Sequence, residues 1–434
     1  MDKITELKKI LNNSINKLNN KYIKRNRKIT FEDVIYGLSL KTINHYTYDK
    51  VVFDINYKLL KDFSPSAFKK KCNILKNGDI TYLNNQLLKN IYSDKNERRV
   101  IAVDGSYLKT LKKLDKDGLK YPSEKYNNYT NSIISGIYDV DKKIIINYNH
   151  SVNKNERNAF IEQLKYIRKF DTLIFDRGYY STEMIKVLND KHIDYVFRVK
   201  NSLNIVKFLN KNKLKEYIYI ENNKLYKIVS YIIEDKIEDK IKDKIKDKIK
   251  DKIKDKTENN IEDNSNDYYL ITSRIDLSID ELKDIYWKRW SIETHFREAK
   301  YTTSLGNLNC RSLDNLLKEL NMHNYVYILY YYYYNITKSE NEKYDLNRNI
   351  GIEIFIENTL FILIYKKKYK KEIKRIMNIL PKTYKHKKKN RKFPRISKIK
   401  ITEWYMRPKK RKTKKCIVKL KKSKKIKEQR TKIL

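Results

Sequence analysis

Two short apolar runs, Val100-Ile-Ala-Val103 and Leu173-Ile-Phe175, each lead straight into an aspartate, Asp104 and Asp176. A short apolar run between polar segments is the mark of a buried strand, and the chain around these two follows a definite order. Tyr129 to Tyr138 and Lys143 to Val152 read as further strands, with Asp141-Lys142 at the turn between them. Asn155 to Phe170 then reads as a helix, Thr172 to Asp176 as a strand, Thr182 to Asn189 as a helix and Tyr195 to Lys200 as a strand.

Three strands, a helix, a strand, a helix and a strand is the order of a ribonuclease-H-like α/β core, although other α/β folds reach it as well. In that core the first and fourth strands lie side by side. Asp104, at the end of the first, and Asp176, at the end of the fourth, are then expected to emerge together. Each has a plainer reading, because Asp104-Gly105 and Asp176-Arg-Gly178 are also ordinary turn signals. Asp139 and Asp141 are assigned to their hairpin and left out of any site.

A third carboxylate comes from Tyr286-Trp-Lys-Arg-Trp-Ser-Ile-Glu-Thr-His-Phe-Arg-Glu-Ala-Lys300, read as one amphipathic helix. At about 100° per residue Tyr286, Glu293 and Lys300 nearly eclipse one another, and Arg289 lies one turn before Glu293 on the same side. This face carries a phenol, a guanidinium, a carboxylate and an ammonium. Carboxylates suit hard divalent cations, and the other three suit phosphate oxygens. The alternative is a surface helix laced with ion pairs. Glu298 points away from this face, and Trp287 and Trp290 are expected to anchor the other side in the core. With Asp104 and Asp176 beside it, Glu293 would complete the carboxylate set of a two-metal phosphodiester site, whose cations stand about 4 Å apart.

The rest of the chain supports a polyanionic partner. Its formal net charge is +45, which favours nucleic acid. From Lys366 to Leu434 there are 32 Lys and Arg against three acids, so this stretch holds 29 of those charges. It reads as a salt-sensitive, sequence-independent grip on phosphates; Arg407-Pro-Lys-Lys-Arg-Lys412 also fits a nuclear-import patch. The 37 Tyr and scarce Gly and Pro reflect an AT-rich coding sequence in part. Cys72, Cys310 and Cys416 have no paired spacing, so a reducing compartment and no structural zinc are expected. No signal peptide opens the chain, and the apolar runs are too short for a bilayer.

The first hundred residues read as helices, among them Ile4 to Leu18, Thr30 to Leu40 and a basic helix capped by Ser64-Pro65. The last is a candidate helix-turn-helix element, with a plain basic helical domain as the alternative. Between Asn201 and Tyr268 lie strand-like runs at Tyr217 to Ile220 and Leu225 to Ile233, read as a small inserted β element. A tetrad repeat follows, with Ile every fourth residue from Ile233 to Ile253, read as solvated charged chain. Leu313 to Tyr334 reads as a core helix whose tyrosines serve packing.

Taken together, Asp104-Gly-Ser106, Asn155-Glu-Arg157, Leu173-Ile-Phe-Asp-Arg-Gly-Tyr179, Phe197-Arg-Val-Lys200 and Tyr286-x2-Arg289-x3-Glu293-x6-Lys300 resemble the DDE transposases of the insertion-sequence-four type, whose signature is called YREK. The likeness runs from about Asn96 to Tyr334. It implies an α/β protein with a ribonuclease-H-like catalytic core, a β-rich insertion, a helical N-terminal domain and a basic helical C-terminal region. It further implies cut-and-paste transposition of double-stranded DNA by a homodimer joining two transposon ends. By position, Asp104, Asp176 and Glu293 would bind two Mg²⁺, with Mn²⁺ as a substitute, and Tyr286, Arg289 and Lys300 would grip phosphates near the cut. Some members stack a flipped base on a Trp of the insertion, whereas Trp287, Trp290 and Trp404 all lie outside it here.

The expected division is a helical DNA-binding domain over 1–96, a first part of the core over 97–200, an insertion over 201–267, a second part of the core over 268–335 and a basic region over 336–434. The expected setting is cytoplasm or nucleoid in a prokaryote, or a nucleus or viral factory otherwise. Two rival readings remain: a related or domesticated nuclease that does not transpose, and a non-catalytic basic DNA-binding protein.

Overall fold

The computed structural model describes residues 2–22, 28–94, 96–111, 129–151, 155–221, 224–232, 267–303, 305–308, 310, 312–337, 344–345, 348–380 and 385–386. The tetrad repeat and most of the basic tail lie outside the described residues.

Five helices open the chain: α1 (Asp2–Tyr22), α2 (Phe31–Asn44), α3 (Tyr48–Leu59), α4 (Pro65–Ile74) and α5 (Asn77–Ile91). Ile4, Leu7, Leu11, Ile15 and Leu18 recur every three or four residues along α1 and are all buried, so α1 closes on its neighbours by one apolar stripe. Each such side chain contributes about 1.5–3 kcal/mol on burial. Thr30 and Asp33 form a capping box at the start of α2, and Ser64 with Pro65 starts α4, as their residue types dictate.

The centre is an eight-stranded mixed sheet in the order β3-β2-β1-β4-β5-β8-β7-β6. Its strands are β1 (Val100–Leu111), β2 (Tyr129–Asp139), β3 (Ile144–Ser151), β4 (Thr172–Phe175), β5 (Asp194–Arg198), β6 (Glu216–Glu221), β7 (Lys224–Ile232) and β8 (Asp267–Thr272). β1, β4 and β5 run parallel at the middle, and the remaining pairings are antiparallel. β4 is short and wholly buried, which is why Leu173 to Phe175 form a continuous apolar run rather than an alternating one.

Helices α6 (Glu156–Ile161), α7 (Thr182–Asp190), α8 (Asn204–Lys211), α9 (Ile279–Trp287), α10 (Trp290–Tyr301) and α11 (Leu313–Thr337) accompany the sheet. The long α11 packs against β3 on one side and α5 and α2 on the other. Its Tyr325, Tyr327, Tyr330, Tyr331 and Tyr333 are all buried, so packing is their role, as expected. Beyond it, α12 (Arg348–Ile354), a π-helical turn, α13 (Phe361–Tyr365) and α14 (Lys370–Ile379) return to the N-terminal helices. Asp139 accepts the backbone N–H groups of Asp141 and Lys142, the hairpin role assigned to it.

Four expectations change. β1 does not end at Asp104: it continues to Leu111 because β2 pairs with it throughout, so Asp104 and Gly105 lie in mid-strand. The helix expected over Asn155 to Phe170 stops at Ile161, with a separate turn of 3₁₀ helix at Leu164–Tyr166. The inserted strands β6 and β7 are no separate element, since β7 pairs with β8 and so extends the central sheet. The Tyr286–Lys300 segment is two helices, α9 and α10, joined at Lys288 and Arg289 through 3₁₀-type bonds from Arg289 N–H to Tyr286 O and from Ile292 N–H to Arg289 O.

Candidate active site

Strand register brings the two aspartates together. Val103 of β1 sits opposite Phe175 of β4 in a parallel ladder, so Asp104, still within β1, and Asp176, just past the end of β4, follow side by side at a strand spacing of about 4.8 Å. On its other side Asp104 pairs with Gly136 of β2. A β-carbon at Gly136 would stand 2.9 Å from Phe296 Cζ and 3.5 Å from Ile292 Cδ1. The absence of a side chain there lets α10 settle on the sheet, and Glu293, between Ile292 and Phe296 on α10, is delivered beside Asp104.

Arg289 ties the cluster together. Its guanidinium is buried, lies 2.8 Å from Glu293 Oε1, and interacts with Asp104, Asp176 and Tyr286 as well. Burial works against its charge, but Tyr286, Asp176, Glu293 and Asp104 together hold its pKa above the ordinary value. The Nε of Arg289 is buried and, among the described residues, has no hydrogen-bond partner. Tyr286, also buried, donates its hydroxyl to Asp176 Oδ1 at 3.4 Å. Lys300 is half-buried, which lowers its pKa, while Asp104 raises it. All six residues expected at the site therefore converge on one place.

Asp104 is the carboxyl whose protonation this setting shifts most. It is pushed up to about 7, raised most by burial and also by Glu293 and Glu156, while Arg289 and the Gly105 N–H, at 2.9 Å, pull it down.

Glu156, at the start of α6, was quoted in a motif but given no role from sequence. Its carboxylate is raised by burial and feels Asp176, and it sits where a side chain on Gly105 would otherwise be. Arg157 pins this end of α6 to the chain after Asp176, donating to Gly178 O at 2.8 and 3.0 Å and to Tyr180 O. Arg198 is a second residue without an assigned role: it reaches Asp176 at 4.0 Å and stacks over the Tyr268 ring. The Asn-Glu-Arg spacing and the Arg after Phe197 were the available signals.

Trp287 and Trp290 do not anchor a core. They are 60% and 41% exposed and lie against each other at 6.5 Å. The face that meets the sheet carries Ile292, Phe296 and Ala299, with Tyr286 and Arg289 buried beside them, and the two tryptophans lie outside it. Glu298 accepts a hydrogen bond from Tyr331, in keeping with its exclusion.

Among the described residues, no group of three or more His, Cys, Asp or Glu side chains is drawn together tightly enough to hold a metal ion; the carboxylates share Arg289 instead. The donor set is nonetheless chemically suited to a hard divalent cation. Asp104 is raised by burial and by the nearby Glu293 and Glu156 in spite of Arg289, a condition that added positive charge would relieve.

Residues 95–329, more than half of the chain, match the family model described as transposase DDE domain. The chain belongs to the transposase DDE domain family. Among solved structures, a piggyBac transposase synaptic complex with hairpin DNA aligns over 88% of this chain and 83% of that one, at 13% identity and a TM-score of 0.44; that likeness is too remote to inform the site. No curated protein sequence matches this chain. All six site residues, and Glu156 with them, fall inside the family match. Among the described residues, no helix is long and apolar enough to cross a membrane.

Proposed function

We propose that this chain is a cut-and-paste DNA transposase of the insertion-sequence-four type, with a ribonuclease-H-like core in which Asp104, Asp176 and Glu293 are the catalytic carboxylates. The observation that carries the reading is the joint hold of Arg289 on Asp104, Asp176 and Glu293 within the transposase DDE domain match.

The three carboxylates would hold two Mg²⁺, or Mn²⁺ in their place, which when bound would ease deprotonation of the attacking oxygen and accept charge on the leaving one. The chain's own residues then have distinct tasks. Arg289, whose Nε is unpartnered among the described residues, offers a donor to a non-bridging phosphate oxygen. Lys300 adds a second positive charge, and Tyr286 holds Asp176 in place. In the first reaction water attacks phosphorus and the P–O3′ bond breaks; a proton from the water ends on O3′, leaving a free 3′-hydroxyl on the transposon end and a 5′-phosphate on the flanking DNA. In the second, that 3′-hydroxyl attacks a target phosphodiester, and the new bond replaces the one broken.

Two transposon ends in one synapse call for a homodimer. The division into 1–96, 97–200, 201–267, 268–335 and 336–434 is kept as a working scheme, with DNA contacts in the first and last parts. The compartment is the cytoplasm or nucleoid of a prokaryotic host, or a nucleus or viral factory.

The test is Glu293→Gln, assayed in Mg²⁺ on duplexes carrying the element's ends. Cleavage is expected to vanish while DNA binding stays nearly intact; unchanged cleavage sinks the assignment. Cleavage by the wild type without joining to target DNA marks a nuclease, and binding without any cleavage marks a DNA-binding protein.

A further inference from the structure

A second concave site lies at the opposite end of the central strands. It is a cleft of about 490 Å³ between α5 and the segment that leads into β4, and its lining includes Lys89, Arg99, Lys165 and Arg168, with no acidic residue. Arg99 immediately precedes β1 and Asp171 immediately precedes β4. Asp104 and Asp176 stand five residues further along the same strands, about 17 Å away at 3.3 Å per residue.

The charges of this cleft are not spent equally. Arg99 forms its floor, buried and paired with Asp171. Among the described residues the Arg168 guanidinium donates only to main-chain oxygens, at 2.9 Å to Asp94 O and 2.8 Å to Tyr92 O, while its backbone N–H bonds Asp171, so the side-chain charge is oriented but not paired with a carboxylate. Lys89 and Lys165 are exposed on opposite walls. Among the described residues, neither pairs with a carboxylate; Lys165 lies over the Tyr166 ring at 5.4 Å. The Tyr92 ring holds both arginines in place, with Arg99 at 4.8 Å and Arg168 at 5.4 Å.

We propose that this cleft grips the phosphodiester backbone of duplex DNA away from the carboxylates, an inference that rests on reading the chain as a DNA transposase. Three cations on two walls, none paired with a carboxylate among the described residues, suit a run of phosphates better than one enclosed ion, because the two lysines stand on the rim and Arg168 lies between main-chain acceptors. The separation of about 17 Å is shorter than one helical repeat of duplex DNA, about 34 Å, so a single duplex is long enough to span it. A duplex engaged at Asp104 would present further backbone at this distance.

The experiment compares the full-length wild type with Lys89→Ala/Lys165→Ala, using a plain duplex without transposon ends and a range of salt concentrations. Loss of two phosphate contacts should reduce the slope of log affinity against log salt by about 1.8, at about 0.9 per contact. Lys207→Ala/Lys211→Ala removes two exposed lysines of α8, far from the cleft in sequence, and should leave most of the slope in place. An unchanged slope in the first pair, or an equal drop in both, overturns the cleft and leaves the transposase reading standing. Failure of the wild type to bind duplex overturns both. If inorganic phosphate alone raises the melting temperature of the wild type but not of the double variant, the occupant is a free anion and the duplex assignment is wrong.

Discussion

Glu156 occupies the space that a side chain on Gly105 would need: a β-carbon there would stand 2.5 Å from both Cδ and Oε1 of the glutamate. The obstructing atoms are the far end of a flexible side chain, so Gly105→Ala should cost less than about 1 kcal/mol, with Glu156 swinging aside. In a Glu156→Ala background the same change should stabilise by about 0.5–1 kcal/mol, since glycine weakens a strand interior. Urea denaturation of the two singles and the double measures this coupling; additive effects would show that the two positions do not compete for space.

Gly136→Ala should behave differently. Its obstruction is Phe296, a buried ring packed against Tyr148 and His295, which has nowhere to swing. Overpacking of this kind costs about 1–3 kcal/mol, and relief requires α10 to lift from the sheet with Glu293 on it. The expected result is lower stability in urea together with a loss of cleavage larger than the stability change explains. Full cleavage by a folded Gly136→Ala would show that the seating of α10 is not critical.

Asp171→Ala would strand Arg99 without its partner in a nearly inaccessible place. Breaking one side of a buried pair costs about 3–5 kcal/mol, and the effect should reach the cleft, since Arg99 forms its floor. Chemical denaturation checks the size. A loss below about 1 kcal/mol would mean that water reaches Arg99 readily.

The raised Asp104 carboxyl gives a signed pH dependence. Its folded pKa of about 7 lies above the unfolded value of about 3.9, so the fold keeps a proton that the unfolded chain releases. For this group, stability is full below about pH 4, falls as pH rises towards 7, and is level above. Metal-free thermal melts should show that decline in the wild type and not in Asp104→Asn. Added Mg²⁺ should raise the wild-type midpoint more at pH 8 than at pH 5, because protons compete with the cation for the carboxylate. Parallel profiles for the two proteins would remove Asp104 from the account.

The basic region begins later than its charge suggests. Tyr369, Ile373 and Leu380 are buried, and Tyr369 donates to Thr5 of α1. Deleting 387–434 should therefore flatten the salt dependence of DNA binding with little change in melting temperature. Deleting from residue 366 should lower the melting temperature as well. Equal melting temperatures for the two truncations would contradict the packing of α14.

Much of this site could be read before any coordinates, because the runs Val100–Val103 and Leu173–Phe175 are apolar for a reason that also places their aspartates. Buried parallel strands need continuous apolar sequence, and their polar followers emerge where they end or where a helix admits them. Long-range pairing was not legible. Gly105-Ser106 looks like a turn until β2 is seen to run alongside and carry β1 past it. The exposure of Trp287 and Trp290 was hidden for a related cause. The segment buries Ile292, Phe296 and Ala299 against the sheet, and Tyr286 and Arg289, whose polar groups face Asp104 and Asp176, take the buried places beside them that the tryptophans were expected to fill. Neither glycine announced itself, since what each makes room for is distant in sequence.

Ile232 and Asp267 face each other as the last pair of the β7–β8 ladder, so the two ends of the sequence between them are held one strand spacing apart, about 4.8 Å. Closing a loop twice as long costs only about 0.6 kcal/mol more. Adding or removing one Ile-Lys-Asp-Lys unit between those two residues should therefore change stability by well under about 0.6 kcal/mol. That junction is where the gene can drift in length, and where a foreign domain could be grafted without disturbing Asp104, Asp176 or Glu293.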